Sequence, residues 1–254
     1  MIKENKDFPI LEFDDNRKAI IDPILFADKP FKENKMIITF FPEVIKKLLS
    51  ENKIFLERTI PGENDINVYK FNDDDILLVL GVVGCPSCAG NLDMFNSMGI
   101  TKVMFCGAGG ALDNELEAGK LLIVEGSIRD EGFSYHYVKP SKYIYSNKTI
   151  NDKIADYLKR AGIPYIIGLT WTTDAIFRET EDRIKLRKRQ GAKMVEMEQA
   201  GCLAVAQFRG FDYGSIIYSG DDVSNETWDN RGWREQGGVR YNLVNICKEL
   251  LHII

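Results

Sequence analysis

Along the chain, short apolar runs alternate with stretches whose apolar positions recur three and four residues apart. MIITFFP (Met36 to Pro42) is a β-rich run closed by a proline, and EVIKKLLSENK after it has helical spacing, so a strand leads into a helix. IFLERTIPGENDINVYKF reads as a hairpin turning at Pro61 and Gly62, and DDDILLVLGVVG as a buried strand with an exposed acidic start. From Cys88 the pattern is helical through AGNLDMFNSMG, stops at Gly99 and re-enters a strand at ITKVMFCGAGGAL, which makes a βαβ unit. Strands follow at LLIVEGSI, IPYIIGLTW, AKMVEME and YGSIIYSG, and helices over 151–161, 174–189, 198–208 and 239–251. This alternation predicts an α/β fold with a mostly parallel central sheet flanked by helices. The expected organisation is an N-terminal segment, residues 1–35, packed on one α/β domain, residues 36–254.

At 254 residues and 44% hydrophobic, the chain has the means to bury a full core. A net charge of -5 without any Lys/Arg block argues against nucleic acid or an anionic membrane as partner and for a small molecule. MIKENKDFPILEF has no apolar signal region, and the longest apolar run, Ile76 to Cys85, is too short to span a bilayer, so a cytoplasmic location is expected. Five cysteines, an odd count, suit reduced thiols better than a disulfide framework.

Open α/β sheets bind ligands beyond the carboxyl ends of their strands, and the unusual residues of this sequence collect there. GVVGCPSCAG invites a metal or redox reading through Cys85 and Cys88. No second CxxC and only two histidines accompany them, however, so a four-ligand zinc site is not assembled, and the aromatic and glycine of a thioredoxin-type motif are missing. The glycines offer a different use: backbone N–H groups at a helix start, ready for an anion or a hydroxyl. GAGG (Gly107, Ala108, Gly109, Gly110) reads as a second turn after a strand, without the spacing of a dinucleotide fingerprint.

VEMEQAG sets Glu196 and Glu198 around Met197 at a strand-to-helix junction. Either the helix dipole favours glutamates there, or Glu198 accepts two hydrogen bonds from a vicinal diol while Met197 packs on the sugar. In SGDDVS, Asp221 and Asp222 are an N-cap or an acid held protonated by its neighbour. In TWTTDAIFRET, Thr172, Thr173 and Asp174 would cap the next helix, and Phe177 is core or a platform for a base. WDNRGWRE reads as an amphipathic surface helix or a lid.

Taken in order, these segments resemble the nucleoside phosphorylase superfamily of uridine phosphorylases, hexameric purine nucleoside phosphorylases and methylthioadenosine nucleosidases, from about Met36 onward. VEMEQAG is the most specific match and implies ribose binding by Met197 and Glu198, with Glu196 beside them. The resemblance implies that the glycines of GVVGCPSCAG (Gly84) and CGAGGALDNELEAGK (Gly107 to Gly110) seat phosphate or another nucleophile, and that the cysteines are passengers. It implies Phe177 or Ile176, with Thr172, as base wall, and Asp222, with Asp221 as alternative, as the acid that protonates the leaving base. It further implies a single domain around a mixed, partly closed sheet, homo-oligomers (dimers or hexamers), no metal or organic cofactor, and phosphate as co-substrate.

The departures from that pattern bear on the acceptor. Phosphorolytic members carry Gly-Asp-Pro-x-Arg after the first strand, where this chain has TFFPEVIKK; a second phosphate arginine is replaced by Phe105, and a hydroxyl residue by Ala108. Arg58 lies where some relatives donate an arginine across a subunit interface. Glu43 falls where the hydrolytic nucleosidases keep a water-activating glutamate, a position that a helix dipole would also favour. The expected activity is therefore cleavage of the N-ribosidic bond of a nucleoside, with phosphate as default acceptor and water, through Glu43, as the alternative. A nucleoside sensor without catalysis and a thiol oxidoreductase using Cys85 and Cys88 are the readings from other classes.

Overall fold

The computed structural model describes residues 4–26, 29–113 and 116–254. The described residues before the first strand carry only short 3-10 turns, at Pro9–Leu11 and Pro23–Phe26, with no buried side chain in either. The fold proper opens with β1 (Lys35–Thr39), α1 (Pro42–Ser50), the hairpin β2 (Ile54–Ile60) and β3 (Ile66–Phe71), then β4 (Ile76–Leu80) and α2 (Cys85–Ser97). It continues through β5 (Lys102–Ala111), β6 (Leu121–Asp130), β7 (Tyr143–Tyr145), α3 (Lys148–Arg160), β8 (Tyr165–Thr173) and α4 (Glu181–Arg189). β9 (Ala192–Glu196), α5 (Gln199–Arg209), β10 (Asp212–Asp222) and α6 (Gly237–Leu250) complete it.

The ten strands form one mixed sheet, part of which closes on itself. β5 pairs in parallel with β10, β10 antiparallel with β6, β6 in parallel with β8, and β8 in parallel with β9; β9 then meets β5 antiparallel at Gly110↔Val195 and Ala111↔Met194. On the far side of β5 the sheet runs on through β1 and β4 to the hairpin. This mixed, partly closed sheet is the architecture the resemblance implies, and it corrects the mostly parallel sheet read from the alternation. Apolar runs report burial on both faces but carry no strand direction.

Ring closure explains the glycines of β5. A Cβ on Gly109 would stand 2.9 Å from the Val195 carbonyl oxygen, and one on Gly110 would stand 3.1 Å from Val195 Cγ1, so only glycine lets β9 cross here. Gly107 to Gly110 thus belong to a strand, not to the turn read from the sequence.

Helices α2 and α5 cover one face through residues such as Leu92, Phe95, Leu203 and Val205, and α1, α3 and α6 cover the other through Val44, Leu48, Ile154, Leu243 and Cys247. Two expected helices differ. The 174–189 helix starts only at Glu181, after a single 3-10 turn at Ile176–Arg178, because Asp174 Oδ2 accepts from Gly132 N (2.9 Å) instead of capping. WDNRGWRE contains one 3-10 turn, Trp233–Glu235; Arg231 (φ 46°) and Gly232 (φ 59°) lie in the left-handed region, which ends any helix there. Among the described residues, no helix is long and apolar enough to cross a membrane.

Candidate active site

A cavity of about 620 Å³ opens where β1, β5, β9 and β10 end, roofed by the 176–179 turn, Trp228, Trp233 and the first turn of α6. At its β9 end stand two buried glutamates with different surroundings. Glu196 Oε1 accepts from the hydroxyls of Thr170 (2.9 Å) and Thr172, and its Oε2 accepts from the backbone N–H groups of Glu198 (2.7 Å) and Gln199 (2.7 Å). It caps α5 and its hydrogen-bonding capacity is spent. Glu198 has one close bond, from Gly84 N to Oε1 at 2.7 Å, with the Met197 N–H as a weaker second donor to its carboxyl.

Burial pushes both carboxyls above the ordinary range, Glu198 to about 8, with the Glu196 charge as its second cause. Four donors oppose the effect of burial on Glu196, while Glu198 has fewer.

The two residues meet because α2 and α5 start side by side. A Cβ on Gly201 would fall 2.8 Å from Cys85 Sγ, so the glycine lets the helix N-termini touch. Gly84, at φ 96° and ψ 144°, turns its N–H toward Glu198. Cys85 and Cys88 are packing groups in this junction. Both are buried and unbridged, Cys88 Sγ lies 3.8 Å from Cys202 Sγ, and burial, with the nearby Glu131 charge, pushes the Cys85 thiol up.

Asp221 and Glu179 line the same cavity. Asp221 Oδ2 accepts from Trp228 Nε1 at 2.7 Å. Glu179 is the one residue of 174–180 that is not exposed, and its carboxylate has no hydrogen-bond partner among the described residues. Burial, then the Asp221 charge, raises it to about 7. Ile176 and Phe177 form the rim beside them, Phe177 being 94% exposed.

Several expected site residues lie elsewhere. Asp222 does not line the cavity: it is buried, paired with Arg231, and its Oδ1 accepts from Ser224 N (2.7 Å), so Asp221 is the aspartate of the pair that faces in. Thr172 is behind the wall, donating to Glu196 and accepting from Ala200 N (3.0 Å). Glu43 is outside the lining, in an ion pair with Arg240 Nη1 at 2.8 Å. Arg58 donates to the Lys29 carbonyl and lies over the Phe31 ring at 4.5 Å, away from the cavity of its own chain. Met197, Gly107, Ala108, Gly109 and Gly110 do line it, and Gly84 acts from behind through Glu198.

Residues 35–244 match the phosphorylase superfamily. The chain belongs to that superfamily. A guanosine phosphorylase of Halorubrum lacusprofundi is 22% identical over 146 residues, 58% of this chain and 61% of that protein. A uridine phosphorylase of Thermococcus kodakarensis is 26% identical over 136 residues, 54% of this chain and 49% of that protein. The matched stretch therefore spans between about half and three fifths of these relatives' length. Among solved structures, the uridine phosphorylase of Vibrio fischeri superposes with a TM-score of 0.68 at 17% identity, covering 89% of this chain and 95% of its own. The purine nucleoside phosphorylase of Toxoplasma gondii, solved with immucillin-H, gives 0.70 at 15% identity, covering 86% and 92%.

Within this superfamily fold, the charged cavity residues Glu179 and Arg240 stand outside the sequence expectation, and the ring of Phe105 packs on Phe40 at 5.1 Å between centroids. A signal for Arg240 existed. It shares the apolar stripe of its helix with Leu243, Val244 and Cys247, where a charge has no reason to sit unless something uses it.

Proposed function

We propose that this chain is a nucleoside phosphorylase, cleaving the N-ribosidic bond with phosphate as acceptor to give the free base and ribose 1-phosphate. The observation that carries this reading is the Glu198 carboxyl, pinned through Oε1 and lining one cavity with two further acidic side chains, Glu179 and Asp221. Glu198 grips the 2′ and 3′ hydroxyls once it gives up its proton, and Met197 lies against the sugar. The C1′–N bond breaks with its electron pair going to the base, the proton of the Glu179 carboxyl passes to that base, and a phosphate oxygen forms the new bond to C1′. Phe177 and Ile176 cover the base from the rim.

Water is the less suited acceptor, because Glu43 is held in an ion pair outside the cavity lining. The same proposal places the protein in the cytoplasm, consistent with five free thiols, and as a homo-oligomer. Half-exposed apolar residues on the edge strand β2, Phe55 and Leu56, and at and just after the end of β4, Leu80 and Val82, suit a subunit contact.

The test is chromatography of guanosine, inosine, adenosine and uridine incubated with the purified protein. Base release that requires phosphate is the expected result; equal release without phosphate would replace phosphorolysis by hydrolysis.

A further inference from the structure

Arg240 is the single cation among the described residues that line the cavity, and it is 4% exposed. Its Nε donates to the Tyr218 hydroxyl at 2.7 Å and its Nη1 to Glu43 Oε1 at 2.8 Å, while Nη2 has no protein partner among the described residues. The guanidinium lies over the rings of Phe41 (5.0 Å) and Trp233 (5.3 Å). A buried guanidinium with an unused donor calls for an acceptor, and charged donors make the strongest such bonds. Its place in the first turn of α6 is the wrong end of a helix for a cation, since the dipole there favours negative charge. An anion at Nη2 would satisfy the side chain and the helix end together.

The sheet supplies a further donor. β1 pairs with β5 only as far as Thr39↔Cys106, and β9 joins β5 only from Gly110. Gly107, Ala108 and Gly109 pair with β10 along the other edge, and the alternation that turns Leu112 N to Lys193 O turns the Ala108 N–H to this one, where Ala108 lines the same cavity. Elsewhere the walls bear Glu179, Glu196, Glu198 and Asp221, so among the described lining residues Arg240 alone attracts an oxyanion.

We infer that Arg240, with the open edge of β5, anchors a phosphoryl oxyanion in this cavity. The oxyanion is either inorganic phosphate, the acceptor, or the 5′-phosphate of a nucleotide. The acceptor case rests on the nucleoside phosphorylase reading; the binding itself does not. Glu43 competes with the anion for the guanidinium.

The experiment is titration calorimetry of the full chain with inorganic phosphate, with guanosine 5′-monophosphate and with guanosine, on wild type, R240M, R240K and E43Q. R240M should weaken phosphoryl binding about tenfold or more. R240K should recover part of the loss, keeping the charge without the fork. E43Q, on a half-exposed residue, should tighten binding about two- to fivefold. Guanosine affinity should stay within error in E43Q. A response to inorganic phosphate identifies the acceptor site; a response confined to the nucleotide identifies a 5′-phosphate site.

Phosphate and nucleotide affinities unchanged in R240M and E43Q would overturn the inference, and E43Q decides alone if circular dichroism shows R240M unfolded. Because this readout needs no turnover, absence of base release from every nucleoside would defeat the activity reading and leave the anion site standing or falling on its own result.

Discussion

The backbone N–H of Gly84 donates to Glu198 Oε1 at 2.7 Å, although the two residues lie 114 positions apart in the chain. One glycine at a helix start thereby fixes the carboxylate that faces the cavity. The bond depends on a backbone conformation, φ 96° and ψ 144°, that side chains other than glycine adopt only under strain. Gly84→Ala should therefore cost about 1–3 kcal/mol of stability. It should also lower kcat/KM by more than a surface alanine substitution does. Chemical denaturation and steady-state kinetics on the same preparation check both; an unstrained variant with normal turnover would remove the positioning role.

Stability should fall as pH rises from about 5 to 8. The Glu198 carboxyl sits near pKa 8 in the folded protein against an ordinary 4.5, chiefly because it is buried and then because Glu196 is charged beside it. Between those values the folded state holds more protons than the unfolded state, so each rise in pH favours unfolding. The contribution is fully present below about 4.5 and is gone above about 8. Glu179, raised to about 7, adds to the same slope. Thermal melts from pH 5 to 9 should show the decline in wild type and a shallower one in Glu198→Gln, which should also lose turnover by about a hundredfold if its grip on the sugar sets the reacting geometry. Parallel melting curves for the two proteins would show that Glu198 is ionised throughout.

The neighbouring aspartates should separate cleanly. Asp221→Asn, like Glu179→Gln, should lower turnover with little change in stability, since neither carboxylate holds the fold together. Asp222→Asn should do the reverse, costing about 1.5–3 kcal/mol by leaving the Arg231 guanidinium without its charged partner. Kinetics and urea denaturation of the three variants decide; a large kinetic defect confined to Asp222→Asn would return the acid role to that residue.

These contrasts mark how far the sequence is readable. VEMEQAG pointed to Glu198 through the family resemblance, the residues alone leaving a helix-start role open, and the structure gives the capping work to Glu196. The choice between Asp221 and Asp222 was not legible, because β10 is buried on both faces and its alternation is erased until Asp221, the single half-exposed position near its end. Glu179 was hidden by a helix expected from Asp174 onward. The Asp174 contact to Gly132 stops that helix and turns Glu179 inward, and no local pattern announces a partner 42 residues away. The closed part of the sheet was equally silent: the glycines of β5 read as a turn, while their use is to admit β9.

The most direct test of the account is phosphorus NMR of guanosine and uridine incubated with inorganic phosphate and the full-length protein. The account predicts a new sugar-phosphate resonance growing in step with base release, absent when Glu198→Gln replaces the wild type. Base release with the inorganic phosphate signal unchanged would contradict it.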